Sequence, residues 1–426
     1  MPTRTKHSRD TVVRIPTFGT VSRKPFAEKR LLRHGWHVGY KPRRAAQVKF
    51  RGRIGRPTMD SVPPEILAEI AVRLLSPLDL VHFRMVNRAC AAAGFPSLVS
   101  HLRLINTHRC LHDAVDTLRS SPHGSLRATK SLTLYHGRWP SFMSWEDWKR
   151  HPLLINAADP ETSDDQAYIN HQHFAAEEIL RGSETQLVEF GRLLHSFPNL
   201  QALTVSHLHA WRWGRLENPH YRSLRAKIRM VPIFEDFVGT VAFNMLLVAS
   251  KTPTLSTLSI QGTFDMRAEW EFPLNRNIQS LAVSSLLVRD ELETQMSNFL
   301  ASFPNLTDLS IGVAPASRDR TLPLSLLKWG KLRQLAFANF STSEDELLSF
   351  IERHKPQSMS LVSITLTVGS WQSFFRRLRQ LNSAVQFHGA GVLQAENASA
   401  CVLDPHSNLL IGLFLRTKDF PWPFGG

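Results

Sequence analysis

Apolar positions in this chain recur in one motif: an apolar residue, two others, a second apolar, one other, a third apolar. The copies are Leu200/Leu203/Val205, Leu255/Leu258/Ile260, Ile278/Leu281/Val283, Leu306/Leu309/Ile311, Leu332/Leu335/Phe337 and Leu361/Ile364/Leu366, with a weaker one at Leu132/Leu134. The alternation that closes each copy is that of a strand with one buried face. From Leu258 onward the central residues lie 23, 28, 26 and 29 positions apart, room for one strand and one helix per copy. The intervening segments carry helical stripes. Leu292, Met296, Phe299 and Leu300 follow Asp290, and Leu347, Leu348 and Ile351 follow a Ser343/Glu346 capping box. Trp371, Phe374, Phe375, Leu378 and Leu381 form a third stripe. Strands alternating with helices at this period predict a right-handed α/β solenoid with a parallel sheet. An ordinary α/β domain with parallel strands is the other reading of the same spacing.

The early copies are farther apart, which predicts insertions near residues 137–195 and 207–250, both leaving the carboxyl ends of their strands on one rim. Half of the ten tryptophans fall there: Trp139, Trp145, Trp148, Trp211 and Trp213. Aromatics gathered at a rim suit a binding surface; as the insertions' own small core they suit packing. The residues flanking each central apolar position are small and nearly uncharged, among them Thr204, Ser206, Ser259 and Ser310. They point away from the core, onto a face that accepts a peptide or a partner's backbone.

Ahead of the copies, residues 61–88 read SVPPEILAEIAVRLLSPLDLVHFRMVNR. Ser61 is a helix cap, Pro63 and Pro64 suit a first turn, and Glu65 suits the positive end of the helix dipole. Ile66, Leu67, Ile70 and Leu74 fall on one stripe. Ser76-Pro77 with Asp79 repeats the start signal, and a second helix carries Leu78, Val81, Met85 and Val86, with Gly94 placed to stop it near Ala93. The ordered set of Pro63, Glu65-Ile66-Leu67, Asp79-Leu80, Arg84 and Val86-Asn87-Arg88 resembles the F-box family, with Val62 where the family usually has Leu. The resemblance implies a small helical domain that docks a Skp-type adaptor, and through it cullin and RING subunits of a ubiquitin ligase. Carried over position by position, it implies adaptor contacts at Pro63, Ile66, Leu67, Ile70, Leu74, Leu80, Arg84 and Val86. The later copies, with Phe-Pro-Asn-Leu at 197 and 303, resemble the irregular leucine-rich repeats common in fungal F-box proteins.

Charge changes the picture only at one end. The formal net charge is +15, but residues 1–57 hold sixteen Lys or Arg against Asp10 and Glu28, a net +14. The remaining thirty-five basic and thirty-four acidic residues nearly cancel, so the fold lacks the basic footprint of a nucleic-acid binder. The first 57 residues read as a disordered basic tail. Short clusters such as Lys41-Pro42-Arg43-Arg44 suit nuclear import, loose RNA binding or simple solvation. Three scattered cysteines make neither a disulfide framework nor a zinc ribbon. No apolar run approaches the roughly 20 residues of a membrane span, and no secretory leader is recognisable.

Nucleophile elbows, phosphate loops and zinc-protease motifs are all missing from the sequence. The close histidine pairs, His171/His173 and His207/His209, lack the further ligands a metal demands. The reading is thus a tail (1–57), an F-box helical domain (58–105) and a leucine-rich-repeat-like domain (106–426), cytoplasmic or nuclear, without catalysis, metal or cofactor. It holds an unidentified target protein for a ligase. The second reading is a nuclear or RNA-associated protein acting through its tail, with the F-box used outside a ligase.

Overall fold

The computed structural model describes residues 62–74, 77–120, 126–137, 139–152, 154, 162–207, 219–230, 237–238, 240–265, 272–287, 293–314, 322, 324–381, 385–395, 398–417 and 420–424. The expected tail and Ser61 lie outside them. The described chain is α/β, with a long, largely parallel sheet.

It begins with three helices: α1 (Pro64–Arg73), α2 (Pro77–Val86) and α3 (Arg88–Val99). Pro63 occupies the cap position of α1 and Pro64 its first turn, where a missing N–H costs no helical bond. Gly94 does not end the helical run. Asn87 starts a new helix instead, its Oδ1 accepting the N–H of Cys90 at 2.7 Å, and α3 continues through Gly94 and Pro96. Leu67, Ala71, Leu80, Phe83 and Cys90 form a core of their own.

The sheet starts inside the segment expected to be all helical, because β1 (His101–Ile105) already pairs with β2 (Ser131–His136). Next come β3 (Ala202–His207), β4 (Phe237–Val238), β5 (Thr257–Asp265), β6 (Ser280–Leu287), β7 (Asp308–Val313) and β8 (Gln334–Ala338). After these follow β9 (Ser341–Ser343), β10 (Ser358–Val362), β11 (Thr365–Val368), β12 (Gln386–Ala395) and β13 (Ala398–Leu403). The path runs β1-β2-β3-β5-β6-β7-β8-β10-β12-β11-β9, parallel throughout, with β4 beside β5 and β13 antiparallel to β12. Each long strand is laid beside its predecessor in chain order.

Register turns the sequence pattern into a ladder. Leu132, Leu203, Leu258, Leu281, Leu309, Leu335, Met359 and Phe387 stand side by side across eight strands. A parallel row beside it runs Leu134, Val205, Ile260, Val283, Ile311, Phe337 and Leu361. All are buried in one continuous core, each contributing roughly 1.5–3 kcal/mol. The last copy is displaced from the expected Ile364. Met359 takes that rung, while Ile364 and Leu366 follow a turn at Ser363, whose φ of 52° breaks the strand, and β11 pairs with β9 and the end of β12.

Helices α4 (His108–Ser120), α5 (Trp145–Arg150), α6 (Asp164–Glu178), α7 (Glu184–His195), α8 (Pro219–Ile228), α9 (Thr240–Ser250), α10 (Glu293–Ala301), α11 (Glu344–His354), α12 (Trp371–Gln380) and α13 (Pro405–Arg416) complete the elements. In both Phe-Pro-Asn-Leu segments the asparagine stitches one copy to the one before. Asn199 Nδ2 donates to the carbonyl of Arg127 at 2.7 Å and Asn305 Nδ2 to that of Arg276 at 2.8 Å. Among the described residues no helix is long and apolar enough to cross a membrane.

Candidate functional site

The helical hairpin divides the eight residues singled out in it. Leu67 is fully buried and Leu80 nearly so, and Leu74 packs at the edge of the same core. They hold the hairpin together. Pro63, Ile66 and Ile70, at spacings of three and four, line one exposed side of α1. On α2, Val86 is 54% exposed and Met85 78%. Met85 was expected on the apolar stripe, but Leu80 and Phe83 are the residues that turn to α3. Val72, at 71%, is a further exposed apolar residue that periodicity alone does not single out.

Arg84 also faces inward. Its Nε donates to the carbonyl of Ala91 at 3.3 Å, its guanidinium lies 5.0 Å from the ring centroid of Phe95, and burial pulls its pKa down. The hairpin joins the sheet without a free linker. Lys130 and Ser131 donate backbone N–H groups to Ser100, and Thr129 Oγ1 bonds the carbonyl of Val99 at 3.0 Å.

On the sheet, the residues alternating with the buried ladder form two rows on the opposite face. One runs Ser131, Ala202, Thr257, Ser280, Asp308, Gln334, Ser358 and Gln386; the other runs Thr133, Thr204, Ser259, Ala282, Ser310, Ala336, Ser360 and His388. None of these residues is fully buried, and a shallow groove follows β6, β7, β8 and β10 between Ser280 and Ser360. Parallel sheets are ordinarily covered on both faces; among the described residues this face carries mostly small side chains that are at least partly exposed. Thr204, Ser259 and Ser310 belong to it. Ser206 does not, being 1% exposed.

Described residues of the two insertions touch one another, and the tryptophans described there pack into a core. Trp139 and Trp148 are buried with Ile105, Ala167, Phe174, Ile228 and Met230 in a second core. Trp145 is half-buried, stacked on Trp148 at 5.5 Å. Asn170 Nδ2 donates to the carbonyl of Lys227 at 3.1 Å, and Arg229 bonds Asp164 and the carbonyl of Thr162, tying the first insertion to the second. Trp211 and Trp213 lie outside the described residues.

Beneath this core, a buried polar cluster ties α6 to the ends of β1 and β2. Glu178 Oε1 accepts the N–H of His108 at the start of α4 at 2.8 Å, and Arg181 Nε lies 3.2 Å from Oε2. Arg181 Nη1 donates to the carbonyls of Asn106 and Gly137. Burial raises Glu178 to about 6 despite Arg181, and burial beside Arg181 lowers His136 to about 3. Of the histidine pair on α6, His171 points inward and His173 outward. Among the described residues no group of three or more His, Cys, Asp or Glu is placed to hold a metal ion.

No protein-family model matches the chain, and no curated protein matches its sequence.

Proposed function

We propose that the chain is the substrate-recognition subunit of a Skp–cullin–F-box ubiquitin ligase, its helical hairpin an F-box and its sheet a leucine-rich-repeat solenoid. One observation carries this reading: the motif from Pro63 to Arg88 forms a helical hairpin that spends Leu67 and Leu80 on its own core and leaves Pro63, Ile66, Ile70, Met85 and Val86 in water. Apolar side chains held out on a small helical unit suit a partner that covers them. The open sheet face, with Thr204, Ser259 and Ser310, is the surface proposed for the target protein. The chain then works by proximity, since tethering raises the effective concentration of target lysines near the ubiquitin carrier and demands no chemistry of this subunit.

Reconstitution tests the reading. The full chain is mixed with a Skp-type adaptor, cullin and RING subunit and passed over a sizing column. Co-elution of all four supports it; a chain that elutes alone overturns it. The segregated charge of residues 1–57 favours a second reading, action through a basic tail on RNA in the nucleus. It predicts that deleting those residues abolishes salt-sensitive RNA binding while the adaptor is still bound.

A further inference from the structure

Arg84 lies between buried Phe83 and exposed Met85, and its side chain turns to the inside of the hairpin. Three neighbours there belong to α3: the Ala91 carbonyl 3.3 Å from Nε, the Phe95 ring 5.0 Å from the guanidinium carbon, and Gly94. The fit at Gly94 is close, since a Cβ at that position would stand 2.7 Å from Arg84 Cγ and 3.2 Å from Phe83 Cδ1. A flat, delocalised head that stacks on an aromatic ring and a long aliphatic stem that covers a glycine are both properties of arginine.

The corner this closes is tight. Helix α2 ends at Val86 and α3 begins at Arg88, with Asn87 between them as the cap of α3. On a helix with 100° per residue, Leu80, Phe83 and Arg84 share one arc, while Val86 points nearly opposite to Arg84 and Met85 lies to the side. Fixing Arg84 on α3 therefore fixes where Met85 and Val86 face.

We infer that Arg84 is a positioning residue of the docking surface: it clamps α2 to α3, sets the direction of Met85 and Val86, and offers no charge to the partner. This rests on the docking reading above and replaces the adaptor contact that the F-box resemblance implies for Arg84.

Two arms test it on the full chain. In the free chain, thermal midpoints are compared for wild type, Gly94→Ala, Arg84→Ala and the double variant. Gly94→Ala is expected to lower the midpoint more when Arg84 is present than when Arg84 is gone, because the added Cβ then meets only Phe83. A shift of equal size in both backgrounds overturns the clamp. In the second arm, purified Skp-type adaptor is titrated at several salt concentrations. Arg84→Met keeps the stem and loses the charge, so it is expected to hold Kd within about threefold of wild type with the same salt dependence. Met85→Asp is expected to lose about 30-fold or more. An Arg84→Met variant that loses more than about tenfold and flattens the salt dependence puts the charge in the interface and overturns the inference. Wild type failing to bind overturns the docking reading and the positioning role with it, while the midpoint cycle still decides the clamp.

Discussion

Trp139 and Phe174 meet edge to face, their ring centroids 5.1 Å apart and their planes at 74°. The contact joins the loop after β2 to α6, and Trp148 closes the same core from α5. A fully buried tryptophan truncated to alanine leaves a cavity worth about 3–5 kcal/mol. Trp148→Ala is therefore expected to strip hydrogen-exchange protection from α6 and α8 while β6 to β10 keep theirs. Unchanged protection in α6 would show that the insertions do not depend on their aromatic core.

Glu344 plays the same part near the far end of the sheet. Its buried carboxylate caps α12, accepting the N–H of Ser370 at 2.9 Å, the hydroxyl of Ser373 at 2.6 Å and Arg377 Nη1 at 3.1 Å. Gly369, at φ 98°, leaves room for it; a side chain there would run into the carboxylate. Glu344→Ala strands these donors and is expected to cost about 2–4 kcal/mol in denaturant unfolding. Glu344→Gln, which can still accept hydrogen bonds, is expected to cost less.

The polar cluster under the insertions predicts a pH dependence with two opposing signs. His136 titrates near 3 in the fold against 6.5 ordinarily, and Asn106 Nδ2 faces its Nδ1 at 3.2 Å, which suits the neutral ring. Below pH 6.5 the unfolded chain takes up this proton and the native chain does not, so stability falls with acidification by up to about 1.4 kcal/mol per unit. Glu178, raised to about 6 from 4.5, binds its proton more tightly when folded, so between pH 6 and 4.5 it stabilises on acidification. Thermal midpoints across pH 3.5–7.5 are expected to fall less steeply for His136→Gln and more steeply between 6 and 4.5 for Glu178→Gln.

The two stitching asparagines make a smaller, additive prediction. Each joins successive copies through one hydrogen bond to a carbonyl, so Asn199→Ala and Asn305→Ala are each expected to cost about 1 kcal/mol. Far apart in sequence and without shared partners, they are expected to sum in the double variant. A marked excess in the double would mean the copies are coupled through more than neighbour contacts.

Much of the ladder was legible because a leucine at a fixed rung announces a strand with one buried face. The rungs that were missed show the limit of that signal. Leu102 and Leu104 belong to β1 but stand next to a helical motif, and Met359 lost its rung to Ile364 because both spacings fit the pattern. Only the left-handed turn at Ser363 decides between them. In the hairpin, periodicity marked Leu67 and Met85 alike as apolar; which of them faces water depends on where α3 packs, a tertiary fact. The inward turn of Arg84, Trp139 and Trp148 was hidden for the same reason, since residue type does not tell a side chain spent inside from one offered outside.

Leu67 at the centre of the hairpin core makes Leu67→Asp a test of folding rather than of docking. The direct measurement is a calorimetric titration of the full chain, wild type and Met85→Asp, with a purified Skp-type adaptor, after circular dichroism shows both chains folded. The account predicts a one-to-one complex with wild type and a loss of about 30-fold or more in affinity for the variant. A wild-type chain that binds no adaptor, or a folded Met85→Asp chain that binds it equally well, contradicts the account.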